Sequence, residues 1–148
     1  MAELLLIVSI AGERVAIPTT EVESVVEIDA VMPVPRAAPH VAGLAALRSR
    51  VLTVVDCAAS LQPGARMETV RDAMVVVADG HPYALLVDGV EDVVEASGEA
   101  SPLPASLGGG WSRVGRAMVE AEGELLLQVD VRALIEGPPA VRETALSL

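Results

Sequence analysis

Three aspartates, Asp56, Asp88 and Asp130, stand at the ends of apolar runs, and carboxylates serve as acid and base groups in hydrolases. Two carboxylates divide these roles only if their surroundings separate their pKa values. Each aspartate, however, comes directly before a predicted short helix or turn, where its side chain would accept a backbone N–H as a cap. We therefore expect capping at these positions and keep a small β-barrel hydrolase as the less favoured alternative.

Nucleophilic catalysis by a serine needs a histidine to take its proton, and the chain has two, His40 and His81. His40 lies in a proline-rich stretch and His81 in a tight turn, so we expect both to be solvated turn residues. Cys57, the single cysteine, is expected to be a small buried apolar residue and not a reactive thiol. The sequence therefore predicts no catalytic residue.

Metal and cofactor sites also lack a supporting pattern. No Cys/His cluster has the spacing of zinc ligands. The acidic run at 88–95 would divide between the two faces of one strand, and it lacks the glycine-punctuated order of a calcium loop. The glycines at 108–110 are followed by no Lys-Ser/Thr pair, so they predict a loop tip and not a phosphate loop. We expect no metal and no cofactor.

The charge balance excludes whole classes of partner. The 148-residue chain has 21 acidic and 10 basic residues, which give a net charge of −11. Nucleic acids and anionic membranes attract basic patches, so neither is expected as a partner. A single cysteine cannot form an internal disulfide and fits a reducing cytoplasm. The apolar run at 4–8 is too short to cross a bilayer. A secretory signal is not expected either, because such signals begin with basic residues and none lies near the start of this sequence.

The composition and the turn residues favour strands. Apolar residues make up 52% of the chain and aromatic residues 1%, so the core must be aliphatic, with abundant valine. Short apolar runs separated by turn residues predict paired strands. The predicted pairs are 4–10 with 14–17, the two halves of 43–56, 73–78 with 83–94, and 114–121 with 124–129. Short helices are predicted at 57–62 and 131–136, and a long loop at 97–111.

A short internal echo indicates two related units. Residues 52–56 and 126–130 each form an apolar run that ends in aspartate, and each is followed by a predicted short helix and a Pro/Gly stop. Together with the turn-marked strands, these strand–cap–helix units predict two β-barrels in one chain.

Several motifs occur in the order found in a known family. They are the proline-spaced lead-in with Pro33, Pro35 and Pro39, the turn Ala46-Leu47-Arg48-Ser49, the strand end Val54-Val55-Asp56 and the strand Val87-Asp88-Gly89-Val90. In this order they resemble the chemotaxis coupling (CheW-like) family over nearly the whole chain. The resemblance implies an all-β fold of two intertwined five-stranded, SH3-like barrels with short helices. It also implies one domain at residues 1–139, followed by a flexible C-terminal tail at 140–148.

The resemblance further implies a non-catalytic scaffold that couples chemoreceptors to a sensor histidine kinase in the cytoplasm. The helical tip of the receptor would lie in an apolar groove between the barrels, in or near which fall Val22, Leu47, Arg48, Val87 and Val90. The regulatory domain of the kinase would pack near Ile28, Val41, Gly43 and Leu44. An apolar groove suits an amphipathic helix. A CheW-like binding module for a non-chemotactic signalling partner is the alternative.

Several positions depart from the pattern of the family. Glycine, proline and an acidic residue are usual where this chain has Ser49, Thr53 and Ser24. Serine at position 49 matters if the backbone there needs a positive φ. The acidic residue commonly pairs with the turn arginine, so we expect Arg48 to pair instead with a nearby acid, Glu23 or Glu27, and to hold the turn in shape.

We predict that the protein does not bind nucleic acid at physiological salt, because a net charge of −11 repels phosphate and no basic stripe offsets it. An electrophoretic mobility-shift titration with short duplex DNA and single-stranded RNA measures this. Sequence-independent retardation of either probe at moderate salt would contradict the prediction.

Overall fold

The computed structural model describes residues 3–67 and 72–139, and within them eleven strands and three short helices follow one another. The strands are β1 (Leu4–Ile10), β2 (Glu13–Pro18), β3 (Ser24–Glu27), β4 (Val41–Leu47), β5 (Arg50–Asp56), β6 (Asp72–Ala78), β7 (His81–Leu86), β8 (Gly89–Glu95), β9 (Ser97–Ser101), β10 (Gly115–Ala121) and β11 (Glu124–Val129). The helices are α1 (Cys57–Leu61), α2 (Gly109–Val114) and α3 (Val131–Glu136), and a 3₁₀ turn covers Thr19–Glu21. The predicted mainly β fold class is confirmed. The expected tail at 140–148 lies outside the described residues.

The strands form one six-stranded and one five-stranded sheet. The six-stranded sheet has the order β8-β1-β2-β11-β10-β9, and the five-stranded sheet has the order β3-β6-β7-β5-β4. All strands of the five-stranded sheet come from residues 24–86, whereas the six-stranded sheet uses the segments on either side. The two units are therefore intertwined. Each contains one parallel pair, β2 with β11 and β5 with β7, and in each the echoed strand–cap–helix segment supplies one partner.

The inner strands of each sheet, such as β1, β6 and β11, are buried on both faces, which explains their nearly uninterrupted apolar sequences. Along β1, Leu5 and Ile7 belong to a core within the six-stranded sheet, while Leu6, Val8 and Ile10 belong to a core shared by both sheets. The five-stranded sheet and the helices add to this shared core Val55, Met74, Val76, Leu85, Cys57, Leu61, Val114, Val131 and Leu134. A third core within the five-stranded sheet contains Leu52, Val54 and Val75.

The chain itself covers edges of both sheets. The outer strands β8 and β9 of the six-stranded sheet are separated by Ala96 alone, so the sheet curls and the chain passes directly from one edge to the other. In the five-stranded sheet, Met32 exchanges backbone hydrogen bonds of 2.8 and 2.9 Å with Leu44 of the edge strand β4. Gly43 permits this approach, because a Cβ there would overlap the carbonyl group of Met32. Covered edges oppose pairing with foreign strands.

Two-residue turns join the four hairpins. In three of them glycine is the second residue, at Gly12, Gly80 and Gly123, and both turn residues have a positive φ. The β4–β5 turn differs, because Arg48 has a φ of 58° whereas the φ of Ser49 is not positive. Serine in place of the usual glycine at position 49 therefore causes no positive-φ strain.

The prediction of one strand over residues 83–94 is wrong. β7 ends at Leu86, and β8 begins at Gly89 in the other sheet. Residues 84–87 are all buried, so no change in apolar periodicity marks the place where the chain leaves the first sheet. The N–H of Asp88 donates to the carbonyl oxygen of Ser9 at 2.7 Å and so begins the pairing with β1.

The prediction of one long loop over residues 97–111 is also wrong. Ser97–Ser101 forms β9, which pairs with β10, and α2 begins at Gly109. Every residue of β9 is exposed, so its sequence lacks the apolar alternation by which strands are identified. The glycines predicted as a loop tip instead open a helix.

Asp56 and Asp130 cap α1 and α3, as the sequence predicts. Asp56 Oδ1 accepts a hydrogen bond from the N–H of Ala59 at 3.1 Å, and its Oδ2 accepts from the N–H of Met67 at 3.0 Å. Asp130 Oδ1 accepts from the N–H of Arg132 at 3.0 Å. The two halves of the sequence echo therefore have the same local structure.

His40 is buried, with 5% of its surface exposed, so the expectation of a solvated turn residue is wrong. Its Nε2 donates to the carbonyl oxygen of Ile135 at 2.7 Å, and its own carbonyl oxygen accepts from the N–H of Asp56 at 2.9 Å. Gly137 leaves room for the imidazole, because a Cβ there would overlap the ring. His40 therefore connects the segment before β4 to the end of α3.

We predict that Gly137→Ala destabilises the fold more than Gly123→Ala. The two glycines have φ values of 75° and 78°, so both substitutions strain the backbone, and a ψ of −178° adds to the strain at Gly137 because that region is essentially restricted to glycine. The new Cβ meets the His40 ring at position 137 and open space at position 123. The unfolding free energies of the variants should differ by about 1–3 kcal/mol, the usual cost of overpacking. Urea unfolding followed by circular dichroism measures both, and equal losses would contradict the prediction.

Candidate functional site

The first candidate site is a groove between the two sheets, which we call the intersheet groove. It has a volume of about 460 Å³. The 3₁₀ turn and the residues after it contribute Glu21 and Val22, β6 contributes Val77, β10 contributes Arg116 and α3 contributes Val131. Val77 is 50% exposed, so the groove offers apolar surface to a partner beside its charged groups.

Arg116 organises the charges of the intersheet groove. Its Nη1 donates to Glu21 Oε2 at 2.9 Å, and its Nη2 lies 3.4 Å from Asp130 Oδ1. The hydrogen bond to Glu21 raises the pKa of Arg116. Arg132 also lines the groove; it donates to both carboxylate oxygens of Asp79 and lowers the pKa of that carboxyl. The site therefore combines an apolar floor with polar groups at fixed positions.

The structure places only Val22, of the five residues predicted to face a receptor, in the intersheet groove. Val87 is fully buried in the shared core, and Val90 packs against that core from a half-buried position. Leu47 and Arg48 belong to the β4–β5 hairpin and do not line this groove. All five lie within the described residues, so this distribution is a property of the fold.

A second groove lies beside the β4–β5 hairpin, and we call it the hairpin groove. It has a volume of about 540 Å³ and is lined by residues 27–32 and 44–47. Ile28 and Leu44, predicted to face a kinase, both line it, and so does Leu47, predicted to face a receptor. Met32 is 70% exposed and adds an apolar side chain that no sequence pattern had distinguished.

Val41 and Gly43, the other two residues predicted to face a kinase, do not line the hairpin groove. They flank an irregularity in the pairing of β4 with β5. Gly43 is buried beneath the backbone of Met32 and has a φ of 147°. Gly43 therefore determines the shape of this edge and presents no side chain to a partner.

The predicted ion pair of Arg48 with Glu23 or Glu27 is wrong. Glu23 Oε1 instead accepts a hydrogen bond from Nη1 of Arg50 at 2.8 Å. Glu23 precedes β3 and Arg50 begins β5, so the pair connects parts of the sheet that are distant in strand order. The two side chains are 45% and 42% exposed, so we expect the pair to fix geometry more than to stabilise the fold.

The candidate acids, bases and nucleophiles are held in structural roles. Both carboxylate oxygens of Asp56 accept backbone N–H groups, and Asp88 Oδ2 accepts the N–H of Gly12 at 2.8 Å. Burial raises the pKa of the Cys57 thiol. His81 Nε2 lies 2.8 Å from a threonine hydroxyl at an exposed site. Within residues 3–67 and 72–139, no group of three or more His, Cys, Asp or Glu side chains could hold a metal ion.

The chain is similar to known proteins along most of its length. The family model of the CheW-like domain matches residues 4–138. The chain belongs to the CheW-like domain family. The chemotaxis protein CheW of Rhizobium meliloti (strain 1021) is 30% identical over 115 residues, which cover 76% of this chain and 73% of that relative. The crystal structure of the scaffolding protein TtCheW from Thermoanaerobacter tengcongensis matches with a TM-score of 0.81 at 18% identity, over 95% of this chain and 97% of the other.

Membership of the CheW-like family confirms the resemblance read from the sequence motifs. It also identifies the chain as a non-catalytic scaffold, as the resemblance implied. The structural match agrees with the two-sheet fold. In the part of the chain that the structure describes, no helix has the length and apolar character needed to cross a bilayer.

A polar cluster joins the three helices of this CheW-like domain, and sequence analysis did not find it. Arg113 of α2 donates from Nη1 to the carbonyl oxygen of Ala133 and from Nη2 to that of Ser60, each at 2.6 Å. Ser60 Oγ donates to the carbonyl oxygen of Leu134 at 2.7 Å. Desolvation lowers the pKa of Arg113. These contacts join residues 20 to 74 positions apart, so no local spacing could have revealed them.

We predict that Arg113→Met lowers the unfolding free energy by about 2 kcal/mol, because the carbonyl groups of Ser60 and Ala133 lose a charged donor. Methionine retains an apolar stem of similar length. Arg36→Met is the matched control, since Arg36 is exposed. Urea unfolding of both variants measures the effect, and equal stabilities would mean that the cluster contributes nothing.

Proposed function

We propose that the chain is a cytoplasmic adaptor that couples the helical tips of chemoreceptors to the regulatory domain of a sensor histidine kinase. The observation that carries the proposal is that the intersheet groove and the hairpin groove share no lining residue. An adaptor needs two such surfaces to hold two partners at once. Membership of the CheW-like family, together with a relative named chemotaxis protein CheW, supports a role in chemotaxis-type two-component signalling.

The intersheet groove is the proposed receptor site. A helix binds a groove by laying apolar side chains on an apolar floor and polar side chains against its rim. Val22, Val77 and Val131 offer such a floor. The Arg116–Glu21 pair offers both charge signs at the rim, which would fix the register of a helix.

The remaining receptor candidates are proposed to act beside or beneath this groove. Val87 lies in the shared core, and Val22 and Val90 both pack against that core, so Val87 would support the surface from below. Glu23 lines the groove and bonds Arg50, which brings the tip of the β4–β5 hairpin close to the groove. Leu47 and Arg48, at that tip, are therefore proposed as additional contacts.

The hairpin groove is the proposed kinase site. Ile28 and Leu44 line it, and Met32 and Val34 expose apolar surface in the segment that covers β4, at 70% and 40%. Methionine is enriched at protein interfaces because its side chain adapts to different shapes. Val41 and Gly43 are proposed to shape this surface through the backbone of β4. One domain at residues 1–139 would carry both sites.

A CheW-like module for a non-chemotactic signalling partner is the second candidate. The observation that favours it is a changed ion pair at the β4–β5 hairpin. Ser24 of β3 stands where an acid is usual, and the ion pair runs from Glu23 to Arg50 and leaves out Arg48. Affinity capture from the native cell, followed by mass spectrometry, separates the two candidates. Recovery of a chemoreceptor supports the first, and recovery of a histidine kinase system without chemoreceptors supports the second.

We predict that Val22→Ser and Met32→Ser separate the two binding activities. Val22→Ser should weaken binding of a receptor-tip fragment about tenfold or more, since burying a valine or methionine side chain contributes about 1.5–3 kcal/mol. It should leave binding of the kinase regulatory domain unchanged. Met32→Ser should have the opposite effect. Isothermal titration calorimetry with each fragment measures both affinities.

Val93→Ser is the control for these two variants, because Val93 is 48% exposed and lines neither groove. If Val22→Ser weakened the binding of both partners equally in a fully folded protein, the two-site arrangement would be wrong. If neither fragment bound the unaltered chain, the chemotactic function would be wrong and the second candidate would be favoured.

A further inference from the structure

A third apolar surface lies where the shared core reaches the end of β11. The face of β11 that carries Val129 and Leu127 into the core continues two residues further to Leu125, which is 60% exposed. A groove of about 580 Å³ opens here, bordered also by the half-buried side chains of Trp111 and Met118. We call this surface the Trp111 groove. None of its lining residues lines the intersheet groove or the hairpin groove.

Acidic side chains flank the apolar centre of the Trp111 groove. The antiparallel register pairs Leu125 with Glu120 of β10. The parallel register pairs Leu127 with Val15, which places Glu13 of β2 beside Leu125 on the other side. Both glutamates are exposed. A large apolar side chain therefore has a carboxylate on each side across the sheet.

The arginine that lines this surface is already paired with acidic side chains. Arg14 lines the groove, but its guanidinium bonds Glu91 at 3.0 Å and also pairs with Glu124. Both contacts raise the pKa of Arg14. Arg14 therefore leaves the flanking carboxylates uncompensated.

The acidic excess of the whole chain is concentrated in the unit that carries this groove. Residues 3–23 and 87–139, which build the six-stranded sheet, contain 14 acidic residues and 4 arginines. Residues 24–86, which build the five-stranded sheet, contain 6 acidic and 5 basic residues. The field of the six-stranded unit would attract a basic partner and repel an acidic one.

We propose that the Trp111 groove docks a basic, apolar-anchored segment of a second protein. One large apolar side chain of that segment covers Leu125 beside Trp111, and lysine or arginine side chains on either side face Glu13 and Glu120. A second copy of this chain is the wrong partner, since its net charge of −11 would be repelled. The proposal does not depend on the receptor and kinase sites.

Trp111 is the only tryptophan of the chain, so its fluorescence reports on this groove directly. The probe is an end-blocked nine-residue peptide in which lysine and leucine alternate. We expect saturable binding with a change in Trp111 emission. Leu125→Ser should weaken it about tenfold or more, since the anchor loses its apolar partner. Val51→Ser is the matched control, because Val51 is 58% exposed on a strand of the other sheet, and it should leave the affinity unchanged.

Two further measurements distinguish docking in this groove from nonspecific electrostatic attraction of a basic peptide. Replacing Glu13 and Glu120 together by glutamine should weaken binding of the lysine–leucine peptide about tenfold and reduce the salt dependence of that binding. The control Glu27→Gln on β3 should change neither quantity. A peptide that alternates lysine and serine should bind much more weakly. The proposal is overturned if the serine peptide binds equally well, if Val51→Ser weakens binding as much as Leu125→Ser, or if no peptide changes the emission.

Discussion

The core shared by the two sheets is the constraint on which the rest of the structure depends. Each strand that borders it also contributes to a second core on its other face, as Leu6 and Val8 alternate with Leu5 and Ile7 along β1. Neither sheet could keep its apolar surface from water without the other, so the two units must form together. The shared core reaches the surface at the intersheet groove and at the Trp111 groove, since Val22 and Trp111 pack against it.

The helices beside the shared core need polar partners that the sheets do not supply. Each has five or six residues, which is too few for a stable isolated helix. The carbonyl groups of its last turn also have no N–H donor within the helix. Arg113, Ser60 and His40 supply donors to the carbonyl groups of α1 and α3. Two buried polar side chains, Ser60 and His40, and the partly buried Arg113 thereby hold three marginal helices in place over an aliphatic layer.

The parts of this structure that depend on neighbouring residues could be predicted from the sequence. The parts that depend on contacts between distant positions could not. The hairpin turns and the caps at Asp56 and Asp130 depend on residues within a few positions, so the sequence contains them completely. The exposed strand β9 depends on hydrogen bonds to β10, which no side-chain pattern records. The burial of His40 and the pairing of Glu23 with Arg50 depend on neighbours 95 and 27 positions away. The order of the motifs along the chain identified the family, because that order can be read from the sequence without those long-range contacts.

Several motif residues can determine a binding surface without touching a partner. Gly43 is buried, and a Cβ there would displace the backbone of Met32, whose side chain is the most exposed large apolar group of the described residues. Val87 is likewise buried, as part of the core against which Val22 packs. Substituting either residue would therefore alter a surface through the backbone or the core, with loss of stability and loss of binding together. A true contact residue such as Met32 loses binding alone, so measuring both quantities distinguishes residues that form an interface from residues that shape it.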